Sequence, residues 1–371
     1  MTGRFQMFAR DKIALILGFQ ALGAIGLAGV AQPAMAAAPY QIYVTNEKSG
    51  DVTVIDGGNN SVVGTIAVGK RPRGIHVSPD GKTVYVAVSG TPVSGPPELD
   101  AHGNPMLKKN NKADDDDDDA GADKAADGIA VVDAATNKFS RKIAAGSDPE
   151  EFALSKDGAR IYISNEDTKS ATVINIAAQK IEHIIPVGQE PEGVTTTPDG
   201  KFFYVTCEAG GDVFVIDTTK YGTVGHFKVD GRPRSVDFTP DGSVGFVPSE
   251  SVGQVNVIDA VAHKVLQTLT LPTGSRPMRV RVAPDGKKVY VSNGRAGTIS
   301  VIDSHSYALL DTIKVGTRPW GIVISPDGKL LYTANGSSND VSVVDLATDR
   351  EVTRVKAGSS PWGLVIVPKS S

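Results

Sequence analysis

Seven prolines recur along the chain in matching local settings: Pro72, Pro149, Pro191, Pro233, Pro277, Pro319 and Pro361. The residues beside them are the ones equipped for chemistry. Immediately before them stand Arg71, Asp148, Glu190, Arg232, Arg276, Arg318 and Ser360; immediately after stand Arg73, Glu150, Glu192, Arg234, Met278, Trp320 and Trp362. Two consecutive repeats are acidic and are joined by Glu151, Glu166 and Glu208; the next two are basic and are joined by Arg279 and Arg281. The last two carry both tryptophans of the chain. Guanidinium groups beside flat apolar rings suit a planar anionic ligand or the apolar anchor of a partner. Arg71, Arg73, Glu150, Glu192, Arg234, Arg279, Arg318, Trp320 and Trp362 are therefore the candidate ligand- or partner-binding set, with the tryptophans expected at exposed loop tips. Two plainer readings stand beside this one. Arg and Glu on neighbouring repeats can pair as surface ions at little energetic gain, and the tryptophans can plug an opening.

Four residues beyond each proline come His76, Ala153, Thr195, Asp237, Arg281, Val323 and Val365. His76, Asp237 and Arg281 are candidates to line a channel, with Asp237 and Arg281 placed to form a buried pair. His76 is a lone histidine, which reads as a satisfied core residue before a ligand. No His, Asp and Glu cluster has metal-site spacing, and neither a Gly-x-Ser-x-Gly elbow nor a phosphate loop is present. The single cysteine, Cys207, excludes an intramolecular disulfide. No catalytic set is assigned, and no cofactor is expected beyond the alternative of calcium at Asp114–Asp119.

The elements that position these residues are read from a second recurrence. Asp56, Asp133, Asn175, Asp217, Asp259, Asp303 and Asp345 follow one another at steps of 77, 42, 42, 42, 44 and 42 residues. Between them lie short runs rich in Val, Ile, Tyr and Thr, separated by Pro-Asp-Gly and Asp-Gly turns. Such runs suit half-buried strands. Four of them about every 40 residues mark a blade of a β-propeller. The expected fold is all-β: a seven-bladed propeller with four antiparallel strands per blade. The chain has a second strand without a first at Tyr40–Tyr43, and a first strand without a second at Leu364–Val367. Pairing the two closes the ring. Strand alternation then puts the proline loops on one face, the loop face, and the Pro-Asp-Gly turns on the other, the turn face.

Residues 1–36 read as a signal peptide: Arg4, Arg10 and Lys12 precede an apolar stretch, and Ala34-Met35-Ala36 fits a cleavage box. An uncleaved anchor is the alternative. Residues 37–371 form the propeller, interrupted at 89–127 by an insert with prolines and the run Asp114–Asp119. The insert lacks core-forming residues and is expected to be disordered. It emerges on the loop face. Its ten acids against four lysines leave the rest of a chain of net charge −4 near neutral, unlike a nucleic-acid surface.

Tyr43-Val44-Thr45-Asn46, Tyr290-Val291-Ser292-Asn293 and Tyr332-Thr333-Ala334-Asn335 resemble the tetrapeptide that names the YVTN family of β-propeller repeats. A secreted seven-repeat chain of this kind resembles the propeller proteins associated with pyrroloquinoline quinone-dependent alcohol catabolism. That resemblance implies a periplasmic binding or accessory module, working beside quinoprotein dehydrogenases or a linked transporter. A protein partner or small ligand would sit on the loop face, with no membrane span after signal cleavage. Seven-bladed propellers also include sugar-lactone hydrolases, which resemble YVTN chains in fold; His76, Glu151, Glu192 and Asp237 are then the candidate acids and bases. A cell-surface adhesion module is the third reading.

Overall fold

A computed structural model describes residues 40–92 and 122–369. The signal peptide and the acidic run Asp114–Asp119 lie outside the described residues, so neither the cleavage nor the calcium expectation is addressed by it. Twenty-eight strands form seven four-stranded antiparallel sheets. The chain is a seven-bladed β-propeller. Among the described residues the only helical segment is a single 3-10 turn, Lys124–Ala126, and no helix is long and apolar enough to cross a membrane.

The ring closes as the terminal runs require. The inner strand of blade 1 is Pro361–Pro368, paired antiparallel with Tyr40–Asn46, so that Tyr43 faces Val365 and Tyr40 faces Pro368. The other inner strands are Ile75–Val77, Pro149–Leu154, Pro191–Thr196, Asp237–Phe238, Pro277–Val282 and Pro319–Ile324 in blades 2 to 7.

The repeated residues are joints. Asn46, Asn165, Asn293 and Asn335 end the second strands and donate to the hydroxyls of Thr53, Thr172, Ser300 and Ser342 on the third strands at 2.7–2.9 Å. The Asp56-type carboxylates accept turn amides, as Gly58 N–H to Asp56 at 2.7 Å and Thr348 N–H to Asp345 at 2.9 Å. These bonds satisfy backbone donors the sheets leave over. The second-strand tyrosines Tyr43 and Tyr204 are fully buried between blades and reach into the next blade's turn: the Tyr43 hydroxyl donates to Asn137 Oδ1, and the Tyr204 hydroxyl lies 2.7 Å from His263 Nδ1 and 3.2 Å from Ala260 O. Each such side chain removed from water contributes roughly 1.5–3 kcal/mol, repeated around the ring in seven hydrophobic clusters.

The described residues at the two ends of the insert are tied to each other and to the disc. Gly90 N–H donates to Asp127 at 2.8 Å, and the Ser89 hydroxyl donates to Asp148 at 2.6 Å. Lys70 and Lys124 pair with Asp123 and Asp167. Residues 93–121 lie outside the described residues.

Candidate functional site

A bulge decides where the proline-loop side chains go. In blade 3, Pro149 pairs with Asn165 but Phe152 pairs with Ile163, so three steps on one strand match two on the other. The same shift follows Pro191, Pro277 and Pro319. One extra residue breaks the alternation of the pleat and re-aims the side chains around it. Successive residues after a proline thereby serve different layers of the disc.

The outermost layer, on the loop face, is a network of ion pairs. Arg71 lies 2.7 Å from Asp148, 3.1 Å from Glu150 and 3.7 Å from Glu47. Arg73 bridges Glu47, at 2.7 Å, and Glu150. Arg234 joins Glu192, Glu208 and Glu250, and Arg232 also reaches Glu208. The acidic and basic sectors expected from sequence are therefore not separate surfaces; they interlock and neutralise each other. Burial would raise the Glu150 pKa, but Arg73 and Arg71 overcome it and hold the group at about 2. Burial opposes the Arg73 charge as well, yet Glu150 and Glu47 raise its pKa above the ordinary value. Glu166 behaves oppositely: burial, then Glu150 and Asp148, push it well above the usual range. Asp148, Glu150 and Glu166 bring carboxylate oxygens within 4.8 Å of one another, a cluster not read from sequence. The guanidiniums of Arg71 and Arg73 on Glu150, and a Glu166 whose ionisation is suppressed, account for that closeness.

Trp320 and Trp362 stack at the mouth, with centroids 5.5 Å apart. Arg73 and Arg279 lie 5.8 and 5.2 Å from the Trp362 ring; Arg234 and Arg318 lie 5.5 and 5.3 Å from Trp320. Trp362 is only 3% exposed and Trp320 is half-buried. The expectation of two exposed rings fails for Trp362, because its neighbours from blades 2, 6 and 7 converge on it. Arg276 and Arg318 meet no carboxylate within ion-pair distance among the described residues, and burial lowers the Arg318 pKa.

Below the mouth the ring is tightest two residues past each proline. There Gly74, Gly193, Gly321 and Gly363 let inner strands touch: a Cβ on Gly321 or Gly363 would lie 2.6 Å from the Trp362 or Arg73 carbonyl oxygen. Glu151 and Arg279 hold the same position in blades 3 and 6. They meet across the axis. Glu151 Oε1 also accepts the Phe152 amide at 3.0 Å and lies 3.1 Å from His76 Nε2. Burial would raise the Glu151 pKa; Arg279, then His76, hold it at about 2. Its ionised carboxylate can only accept, so in the neutral imidazole Nε2 carries the proton and Nδ1 is the acceptor. Phe152 packs edge-on against His76 at 4.7 Å. His76 thus has an orienting acid. The signal that could have found it is the break in the Pro-x-Gly pattern, which falls at Glu151, Ser235 and Arg279, two of them charged.

Beneath this strut a chamber of about 300 Å³ reaches the turn face. Its walls come from blades 2, 3 and 4, including Pro79, Ser155 and Lys156 from the turns, with His76, Arg279 and Arg281 as inner polar groups. Asp237 and Arg281 do associate, at 3.8 Å. Burial raises the Asp237 pKa against the pull of Arg281, while the Val282 amide donates to it at 2.9 Å. Arg281 Nε donates to the Ile322 carbonyl at 3.2 Å. Of the candidate residues, His76, Arg279 and Arg281 therefore converge on the axis, Asp237 supports Arg281, and Glu150, Glu192, Arg71, Arg73 and Arg234 belong to the loop-face network.

Comparison with known proteins returns two families, each over part of the chain. The family described as Lactonase, 7-bladed beta-propeller matches residues 186–360, and the Choice-of-anchor I domain matches residues 30–190. No curated protein matches the sequence. Among solved structures, Kuenenia stuttgartiensis hydrazine synthase is similar with a TM-score of 0.68 at 21% identity, covering 88% of this chain and 100% of that one. The periplasmic gluconolactonase of Pseudomonas aeruginosa gives 0.65 at 20% identity, covering 88% and 99%. A Bacteroides fragilis candidate 6-phosphogluconolactonase gives 0.68 at 18%, covering 88% and 98%. Likeness at these identities establishes the propeller fold.

Proposed function

We propose that the axial chamber is the active site of a lactone hydrolase acting on sugar lactones outside the cytoplasm. The observation that carries this reading is the Glu151–His76 pair held across the axis by Arg279, at the inner end of a chamber large enough for a small cyclic substrate. Lactone hydrolysis needs a base to activate water and a cation to receive charge on the carbonyl oxygen. His76, oriented by Glu151, is the base. Arg281, anchored by Asp237 and the Ile322 carbonyl, is the cation. The lactonase family match includes Arg279 and Arg281, and the gluconolactonase likeness supports the same reading at the level of fold. The leader-like residues 1–36 and the periplasmic location named for the Pseudomonas protein support export.

The test is turnover of purified protein against a panel of aldonolactones, followed by proton release. His76→Gln should lose roughly 10²–10⁴-fold in kcat, the range for a general base, with its melting temperature preserved. A wild-type rate equal to the buffer rate on every lactone would overturn the proposal. A second reading is a binding or accessory module, including one that serves quinoprotein alcohol oxidation. It is favoured by Arg276 and Arg318, cations on neighbouring blades of the loop face without carboxylate partners among the described residues. A partner retained on wild-type protein and released by Arg276→Ala with Arg318→Ala would support that reading.

A further inference from the structure

On the axis, at the level of the Glu151–Arg279 strut, lies a second and much smaller cavity of about 10 Å³ open to the centre of a water molecule. That is about the least space that holds one water, and a buried water also needs two to four polar partners. His76, Glu151, Arg279 and Arg281 supply them; Ile75, Ile322 and Leu364 form the apolar wall. The rest is backbone at Gly321 and Gly363, where inner strands already touch. His76, Arg279 and Arg281 line this cavity and the chamber alike.

We infer that this cavity is the berth of the hydrolytic water, and that its one-water size fixes the nucleophile; the inference rests on the lactonase reading. Water held there gives a proton to the His76 ring nitrogen that is not bonded to Glu151, while its oxygen bonds to the lactone carbonyl carbon. The carbonyl π pair moves onto oxygen beside Arg281. Collapse re-forms the C=O, breaks the bond from that carbon to the ring oxygen, and returns the His76 proton to the leaving oxygen. The product is the open hydroxy acid, and the imidazole is neutral again.

Three measurements test the berth, with glucono-δ-lactone as probe. A crystal structure of the wild type should show one ordered water within hydrogen-bond reach of His76; a dry cavity overturns the inference. Leu364→Phe and Ile322→Phe, which fill the space from its apolar side, should lower kcat at least tenfold with KM within twofold, and thermal melts show whether they fold. A folded variant that lacks the water and keeps wild-type kcat overturns it too. The third measurement needs no variant. With molar methanol present, the wild type should release free acid almost exclusively, because methanol does not fit the berth. Methyl ester formed in proportion to methanol would place the nucleophile in the open chamber. In that case turnover persists, so the lactonase reading survives while the berth falls. A wild type inert towards every lactone overturns both.

Discussion

Replacing Glu151 by glutamine is the most informative single perturbation, because stability and pH dependence must change together. The Glu151 side chain is 4% exposed and meets Arg279, His76 and the Phe152 amide. Its pKa falls from 4.5 to about 2 on folding. At 1.36 kcal/mol per pKa unit, the ionised form contributes about 3 kcal/mol. Leaving a buried guanidinium without its partner costs a similar amount, about 3–5 kcal/mol. The folded value is depressed, so this stability is present above pH 4.5 and is lost as pH falls towards 2. Glu151→Gln should therefore be less stable than wild type by about 3 kcal/mol at pH 7, with the gap roughly halved at pH 3. Urea titrations of both proteins between pH 3 and 7 measure this. A gap below about 1 kcal/mol at pH 7, or an equal gap at pH 3 and 7, would show that the cross-axis pair does not hold the carboxylate as described.

Two further outcomes follow from the packing. Deleting Gly363–Ser371 removes most of the inner strand of blade 1 and uncovers the Tyr40–Asn46 edge; loss of the buried Leu364 and Val367 alone should cost about 3–6 kcal/mol, and melting like that of the full chain would refute ring closure as a stabilising contact. Trp362→Ala should cost about 3–5 kcal/mol as a core truncation, with half-buried Trp320→Ala costing clearly less. Equal, small losses in calorimetry would return both rings to the surface.

Much of this protein is written in its repeats. The spacing of the Asp56-type residues and the seven prolines counts the blades. The orphan runs at Tyr40 and Leu364 demand closure, and strand alternation assigns loops and turns to faces. These features are legible because they are local, periodic and repeated, so each repeat supports the reading of the others. The site is not of that kind. Glu151 and Arg279 are 128 residues apart and meet only because blades 3 and 6 lie across a ring. Sequence shows charge but not distance, so Glu151 read as part of an acidic sector and, under the lactone-hydrolase reading, as one of four candidate acids and bases with nothing to pair it with His76 in particular, and the loop-face charges read as sectors when the structure pairs them. The bulge after the prolines also hides there. A two-residue alternation carries no mark of the extra residue that sends Glu150 to the face and Glu151 to the axis. Burial of Trp362 likewise depends on Arg73, Arg279 and Trp320, drawn from three other blades. The sequence by itself settled which residues repeat and therefore the architecture; only closure of the ring decided which unlike residues face one another, because that depends on distances across the axis that no local pattern encodes.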